Sequence, residues 1–331
     1  MRIHANDGLD AGALKRLRDA GFTVTTDNVP QEGLATHLNA EGVHVLLVRS
    51  ATKVRKDLID TCPGLRLIGR GGVGLDNIDV AHAKAKGIPV INTPAASSIS
   101  VAELVMAHLT GLLRGLHQAN RLMPANGRSQ FKELKKRFEK GNEVRGRTLG
   151  IIGFGRIGQW TARYALGAGM RVVYCDNHCD LAQLDLEIAG NKLQVPVQRL
   201  SLVDLLAQAD AISLHVPAQP DGRPVLGAAE LAHVKEGVVL VNTARGGSID
   251  EDALLDALNS GRVKGAALDV FVGEPEPRAD LLAHNAISLS PHVGAATREA
   301  QGRVGDELAD LIIAWREKES VASGATRGAG A

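Results

Sequence analysis

Short apolar runs alternate with amphipathic stretches of helical length along almost the whole chain. Over residues 2–95 the runs at 3–6, 43–48, 65–68 and 89–92 read as strands, and residues 11–20, closed by Gly21, read as a helix. Strands separated by helices predict a parallel sheet, and with it a first α/β domain. Ile99, Ala102, Val105, Met106, Leu109, Leu112, Leu113 and Leu116 then recur at helical spacing, which predicts one long helix over residues 98–117 linking two domains. Ser100 with Glu103 three residues on has the form of a capping box, with Ser97 and Ser98 as alternative caps.

A second series of apolar runs follows at 148–153, 170–175, 211–217, 238–244, 266–271 and 287–291, and Ser201 with Asp204 marks another helix start. Residues 297–315 read as a closing amphipathic helix that packs back toward the first domain, since no third set of strands is expected. Residues 320–331, rich in Gly, Ala and Ser, are expected to be disordered.

The junction at residues 148–158 carries chemistry. An apolar strand runs into Gly153, and the spacing Gly153, Gly155, Gly158 supplies a tight turn, a point of close approach for a pyrophosphate, and a close helix-to-strand contact. A helix beginning near Arg156 would turn its positive end toward the phosphates. Such a spacing can arise by chance in a chain with 37 glycines, so its context decides. The next strand ends on Asp176, where a dinucleotide fold places the acid that binds the ribose. That carboxylate would repel a 2'-phosphate, and no Arg or Lys lies between Asp176 and Leu181 to offset it, so NAD is favoured over NADP.

At 331 residues the chain has room for about two domains. A formal net charge of +1 gives no long-range field for nucleic acid or an anionic membrane, so anion recognition has to be local. Cys62, Cys175 and Cys179 are too few and too scattered for a disulfide framework, which fits a reducing compartment and makes the cytoplasm the expected location. Cys175, His178 and Cys179 invite a metal reading, but the strand end already explains them and no second ligand pair follows; no metal is expected. The first residues lack the apolar core of a signal peptide, and no apolar run reaches the roughly 18 residues of a membrane span, so a soluble protein is expected.

Ligands of open parallel sheets gather beyond the carboxyl ends of the strands, so the strand endings locate candidate chemistry. In the first domain they carry Arg49 and Lys53 on one loop and Arg70, Gly71, Gly72 and Val73 on the next, cations and bared backbone amides that suit a small organic anion. The plainer reading of each, taken singly, is a solvated cation or a turn glycine. In the second domain Arg245, Glu274 and His292 stand at the exits of successive strands. An arginine can grip a carboxylate bidentately and polarise a neighbouring carbonyl, and a histidine can exchange a hydroxyl proton. A glutamate beside it would favour the protonated ring and fix its tautomer. Solvated loop residues are the alternative. His215, before Pro217, reads as lining the cofactor pocket. The basic run at 128–140 is either a solvated face or a patch near the substrate entrance or a subunit contact.

These residues resemble the NAD-dependent D-2-hydroxyacid dehydrogenases, and within them the D-3-phosphoglycerate dehydrogenases. The resemblance covers about residues 40–318 and is carried by Val48-Arg49-Ser50-Ala51-Thr52-Lys53, Gly71-Gly72-Val73-Gly74-Leu75-Asp76-Asn77, Ser100-Val101-Ala102-Glu103-Leu104, the glycine motif, Asn242-Thr243-Ala244-Arg245-Gly246-Gly247, residues 265–271 and Pro291-His292-Val293-Gly294-Ala295. It implies an α/β fold of two Rossmann-like doubly wound parallel-sheet domains, residues 1–98 with 296–331 for substrate (flavodoxin-like) and residues 99–295 for NAD, with the active-site cleft between them. It further implies a homodimer. By the same resemblance Arg245, Glu274 and His292 are catalytic, with His292 the general acid/base and Glu274 its partner. Val73, Gly153, Gly155, Arg156, Ile157, Gly158, Asp176, Val216, Thr243, Ala244, Asp269 and Gly294 contact the cofactor, with Arg245 and His292 also lining it. Backbone amides around Gly72 and Val73 hold the substrate carboxylate, and Arg49 with Arg70 reach a phosphate. The chain departs from the family's common form over 177–197, and it ends soon after the closing helix, without the C-terminal extension that senses serine in many phosphoglycerate dehydrogenases; feedback control through such a domain is not expected.

The expected activity is hydride transfer between NAD and a small D-2-hydroxy acid, with D-3-phosphoglycerate favoured by the loop around Arg49. Within the family the alternatives are a glyoxylate or hydroxypyruvate reductase and a D-lactate-type dehydrogenase; formate dehydrogenases pair the histidine with glutamine, against Glu274. From another class, a non-enzymatic NAD-sensing binding protein would keep the same triplet. No nucleic acid or membrane partner is expected.

Overall fold

Buried strands and capped helices alternate to build two parallel sheets, one in each of two units. The structure, a computed structural model, describes residues 1–327. One unit comprises Met1–Ser97 with the chain from Ala295, the other Ser98–Gly294.

The first unit runs β1 (Arg2–Ala5), α1 (Ala11–Asp19), β2 (Thr23–Thr25), α2 (Gln31–Ala40), β3 (Val45–Val48), α3 (Lys56–Thr61), β4 (Leu67–Arg70), α4 (Val80–Ala85) and β5 (Val90–Asn92). All pairings are parallel, in the order β2-β1-β3-β4-β5, so the order reverses between β1 and β3. This is one of the two common doubly wound arrangements, and its switch point lies beyond the ends of those two strands. All four residues of β3 are buried, as a strand covered on both faces requires. Asp10 accepts from Gly12 N and Ala13 N to start α1, and Asp79 accepts from His82 N to start α4. β2 has one buried position flanked by two threonines, too short to show a period in the sequence.

The second unit begins with α5 (Ser98–Arg114), α6 (Leu116–Asn126) and α7 (Phe131–Phe138), followed by β6 (Thr148–Ile152), α8 (Arg156–Gly167) and β7 (Arg171–Cys175). Then come β8 (Gln183–Ile188), β9 (Asn191–Pro196), β10 (Gln198–Arg199), α9 (Leu202–Gln208), β11 (Ala211–Leu214), α10 (Ala228–His233) and β12 (Val238–Asn242). It closes with α11 (Glu251–Asn259), β13 (Val263–Leu268), α12 (Ala279–Ala283) and β14 (Ile287–Leu289). Its seven-stranded sheet has the order β10-β7-β6-β11-β12-β13-β14, the dinucleotide-fold order with one strand added. The order reverses between β6 and β11, and the glycine turn sits on the end of β6. Ser201 caps α9 by accepting from Asp204 N.

Four expectations need correcting. The long helix is broken at Gly115, whose φ of +62° turns the chain, so α5 and α6 meet at 63°. α5 starts at Ser98, which puts Ser100 inside the first turn and removes it as a cap. A third set of strands exists: β8 and β9 form an antiparallel hairpin. Its signal was present, Leu184 and Leu186 buried between exposed Asp185 and Glu187, with Ala189 and Gly190 both at positive φ as a two-residue hairpin turn needs. Finally, the closing helix, expected over about 297–315, runs as α13 (Arg298–Arg327); residues 328–331, part of the tail expected to be disordered, lie outside the described part.

α13 returns to the first unit and packs on α1. Arg16 reaches Asp306 at 3.0 Å and Asp310, while the Arg316 guanidinium lies 4.3 Å from the centre of the Phe22 ring and donates to Ala20 O at 2.6 Å. No single described helix is long and apolar enough to cross a membrane.

Candidate active site

The three glycines have different reasons to be glycine. Gly153 has φ +92°, and a Cβ there would stand 2.7 Å from His215 O. A Cβ on Gly158 would stand 2.2 Å from Gly153 O. Those two are demanded by the protein itself. A Cβ on Gly155 would meet nothing within 4 Å, so the space in front of it is open to a ligand. Behind the turn Phe154 is fully buried and stacks on Tyr174 with ring centres 4.0 Å apart, which fixes the loop to β7. α8 starts at Arg156 with no side chain capping it, so its first N–H groups are left for an anion. Arg156 is exposed and Ile157 half-buried on that first turn.

At the neighbouring strand exits, Thr243 Oγ1 and His215 Nδ1 are enclosed and have no hydrogen-bond partner among the described residues. A polar group of a bound ligand would satisfy them. Val216 is half-buried and Ala244 buried beside them. The open glycine, the uncapped helix and the two unpartnered polar atoms together fit a dinucleotide.

Asp176 stands at the end of β7. Its Oδ2 accepts from Phe154 N at 2.6 Å, and its Oδ1 from His178 N at 2.7 Å and Cys179 N at 2.8 Å. Burial acts to raise its pKa, but the three N–H donors outweigh that and hold the carboxyl below its ordinary value. Asp176 therefore braces the glycine turn as well as carrying a negative charge there.

His215 bonds Ser213 Oγ through Nε2 at 2.9 Å, and burial pushes its pKa down to about 3. The unfolded chain binds a proton near pH 6.5 that the folded ring refuses until about pH 3. Between those values the unfolded state holds more protons, so stability falls as pH falls. His215→Asn is expected to flatten the pH dependence of unfolding free energy between pH 6 and 4, by up to about 1.4 kcal/mol per pH unit. Urea unfolding at several pH values checks this, and an unchanged slope would contradict it.

On the same sheet edge, Asn242 closes the turn after β12, its Oδ1 accepting from Ala244 N and its Nδ2 donating to Arg245 O, both at 3.0 Å. Arg245 Nη1 donates to Ala244 O at 2.6 Å. After β13, Glu274 Oε1 accepts from Phe271 N at 2.8 Å, and its Oε2 lies 2.7 Å from His292 Nδ1. Glu274 and His292 are thus in direct contact, and Arg245 stands at the exit of β12, the neighbour of β13 in the sheet. A cavity of about 370 Å³, lined by Phe271, Pro275, Leu282 and Pro291 with Glu274 and His292, opens beside the pair.

Asp269, expected to touch the cofactor, is 1% exposed. Its Oδ1 accepts from Ser290 Oγ at 2.6 Å and Val293 N at 2.9 Å, and its Oδ2 from Gly294 N at 2.8 Å. Its visible task, and that of buried Gly294, is to hold the loop that carries His292.

In the first unit the loop after β3 is stapled from both sides. Asp7 accepts from Arg49 N at 2.6 Å and from Thr52 Oγ1 at 2.6 Å, and Asn77 Nδ2 donates to Arg49 O at 2.8 Å and Thr52 O at 2.6 Å. The loops after β1 and β3 border a cavity of about 230 Å³ lined by Asp7, Asp10, Arg49, Gly71 and Gln301. Asp7 was not singled out from sequence, although it follows β1 at the switch point and the strand-exit rule covers it. Gly72 has φ +142°, and a Cβ there would stand 2.4 Å from Arg70 Nη1, so the guanidinium lies across it. The Gly72 N–H, expected among the amides that hold a carboxylate, donates to Thr93 Oγ1 at 2.8 Å in a buried bond. Val73 is exposed, and its carbonyl accepts from Asn92 Nδ2 at 2.7 Å.

Residues 106–294 match the family of the D-isomer specific 2-hydroxyacid dehydrogenase, NAD binding domain. The chain is 42% identical over 316 residues to a hydroxypyruvate reductase of Thermotoga maritima, covering 94% of this chain and 97% of that protein. It is 40% identical over 312 residues to a D-3-phosphoglycerate dehydrogenase of Methanocaldococcus jannaschii, of which it spans 57%. A crystal structure of D-lactate dehydrogenase from Aquifex aeolicus, complexed with NAD and lactic acid, superposes with a TM-score of 0.75 at 28% identity, over 96% of each chain.

Proposed function

The chain belongs to the D-isomer specific 2-hydroxyacid dehydrogenases, NAD-dependent enzymes acting on CH–OH donors, and we propose that its own substrate is D-3-phosphoglycerate, oxidised to 3-phosphohydroxypyruvate. The observation that carries the choice is the loop after β3, where Asp7 and Asn77 hold the backbone of Arg49 rigid. A cation on a braced loop loses little entropy when it binds a phosphate.

NAD supplies the hydride acceptor and, reduced, the donor. Arg245 grips the substrate carboxylate and polarises the C2 oxygen. His292 exchanges the hydroxyl proton through Nε2, because Nδ1 is committed to Glu274. Glu274, fixed by Phe271 N, sets the ring's orientation and tautomer. The uncapped start of α8 and the open face of Gly155 receive the pyrophosphate. Asp176 takes the adenosine ribose, so Asp176→Ala should narrow the preference for NADH over NADPH in fluorescence titrations. An unchanged ratio would remove Asp176 from cofactor choice.

A second reading is hydroxypyruvate reduction, favoured by the 42% identity to the Thermotoga protein over nearly its whole length. NADH formation from D-3-phosphoglycerate and from D-glycerate, each with a trap for the keto product, separates the two. The phosphorylated acid should win in kcat/KM by at least roughly tenfold, the scale of one charge-assisted contact, and Arg49→Ala should erase the difference. Equal rates would transfer the assignment to the unphosphorylated acid.

A further inference from the structure

His108 lies on α5, far in sequence from the strand exits, and is 8% exposed. Its Nδ1 lies 3.0 Å from Ser288 Oγ and its Nε2 2.9 Å from Ser290 Oγ. Those serines sit two residues apart, so they project from one face at the end of β14, and a single imidazole spans both. Ser290 Oγ also donates its only hydrogen to Asp269 Oδ1. Having spent that hydrogen on the carboxylate, Ser290 can only accept from His108, which places the proton on Nε2 and leaves Nδ1 to accept from Ser288. Burial lowers the pKa of His108, against a smaller opposing effect of the Asp269 charge, so the neutral tautomer is favoured.

The chain of donors therefore runs in one direction, from Ser288 through His108 and Ser290 to Asp269. It ends at the carboxylate that also holds the N–H groups of Val293 and Gly294. Between Ser290 and Val293 stands His292 with φ +54°, a left-handed conformation that a residue with a Cβ adopts only when its surroundings impose it. Resting on the acid/base role assigned to His292 above, we propose that His108 is a positioning residue for the reaction, holding the His292 loop in its left-handed conformation through Ser290 and Asp269.

The test combines variants with a measurement on the unaltered protein. His108→Leu keeps the size of the side chain and removes both hydrogen bonds, while His108→Gln can still donate and accept. His108→Leu is expected to lower kcat by roughly tenfold to a hundredfold, the effect of a small misplacement of a reacting group, with little change in NADH affinity. The deuterium isotope effect on kcat should rise as the chemical step becomes slower, and His108→Gln should recover most of the loss. Normal turnover in His108→Leu would overturn the proposal, as would a loss that follows unfolding temperature and is not recovered by glutamine. Should the leucine variant fail to fold, long-range ¹⁵N–¹H spectra of the histidines in the unaltered protein decide: an Nε2–H tautomer for His108 supports the directed chain, and an Nδ1–H tautomer overturns it. His292→Ala run in parallel separates the two readings, since an active His292→Ala sinks the acid/base assignment, whereas an inactive one beside a fully active His108→Leu sinks only this inference.

Discussion

His292→Ala is expected to lower kcat by roughly 10²- to 10⁴-fold while leaving the NADH dissociation constant nearly unchanged. The size follows from the task, because no other described side chain hydrogen-bonded to Glu274 is a proton-exchanging group. The ring is also 52% exposed, so its removal leaves no buried hole and little stability is at stake. Stopped-flow single turnovers with NADH and a keto acid, alongside fluorescence titration of NADH, separate chemistry from binding. Near-normal turnover would remove His292 from the mechanism, and a matching loss of NADH affinity would recast it as a cofactor contact.

The second large effect comes from the glycine turn, where two substitutions to alanine should fail for different reasons. In Gly158→Ala the new methyl group meets Gly153 O at 2.2 Å, a contact with backbone that cannot swing aside. Helix propensity would gain about 1 kcal/mol from the alanine, but overpacking of this kind costs about 1–3 kcal/mol or more. A lower unfolding temperature and weaker NADH binding should appear together. In Gly155→Ala the methyl group meets nothing within 4 Å, so the fold should keep its stability. The same methyl group then occupies the ground over which a pyrophosphate must approach, and NADH affinity should fall by at least roughly tenfold, or 1.4 kcal/mol. Unchanged NADH affinity in Gly155→Ala would move the cofactor away from this turn.

Local signals carried much of this architecture. The glycine spacing, the acid after β7 and the arginine, glutamate and histidine at strand exits are each short patterns whose meaning follows from one turn of chain, and they lie on the sheet edge where the strand order reverses. Other features depend on contacts that no window of sequence contains. His108 and Ser290 meet across 182 positions, Asp7 reaches Thr52 across 45, and Thr93 takes the Gly72 amide across 21. Each is a polar residue at the rim or inside of a sheet, and its partner is chosen by packing rather than by spacing. The break at Gly115 escaped the helical reading because the apolar spacing runs on through it, and periodicity does not register a single positive φ. The β8–β9 hairpin, by contrast, is a local pattern, legible in the alternation of Leu184, Asp185, Leu186 and Glu187.

A D-2-hydroxyacid dehydrogenase exchanges hydride between the nicotinamide and C2 of a small D-2-hydroxy acid. The most direct test is NADH oxidation with 3-phosphohydroxypyruvate and with hydroxypyruvate, the product of each resolved into its enantiomers. NADH should be oxidised with at least one of the two, and the product should have the D configuration. An L product, or no oxidation of NADH with either keto acid, would contradict it.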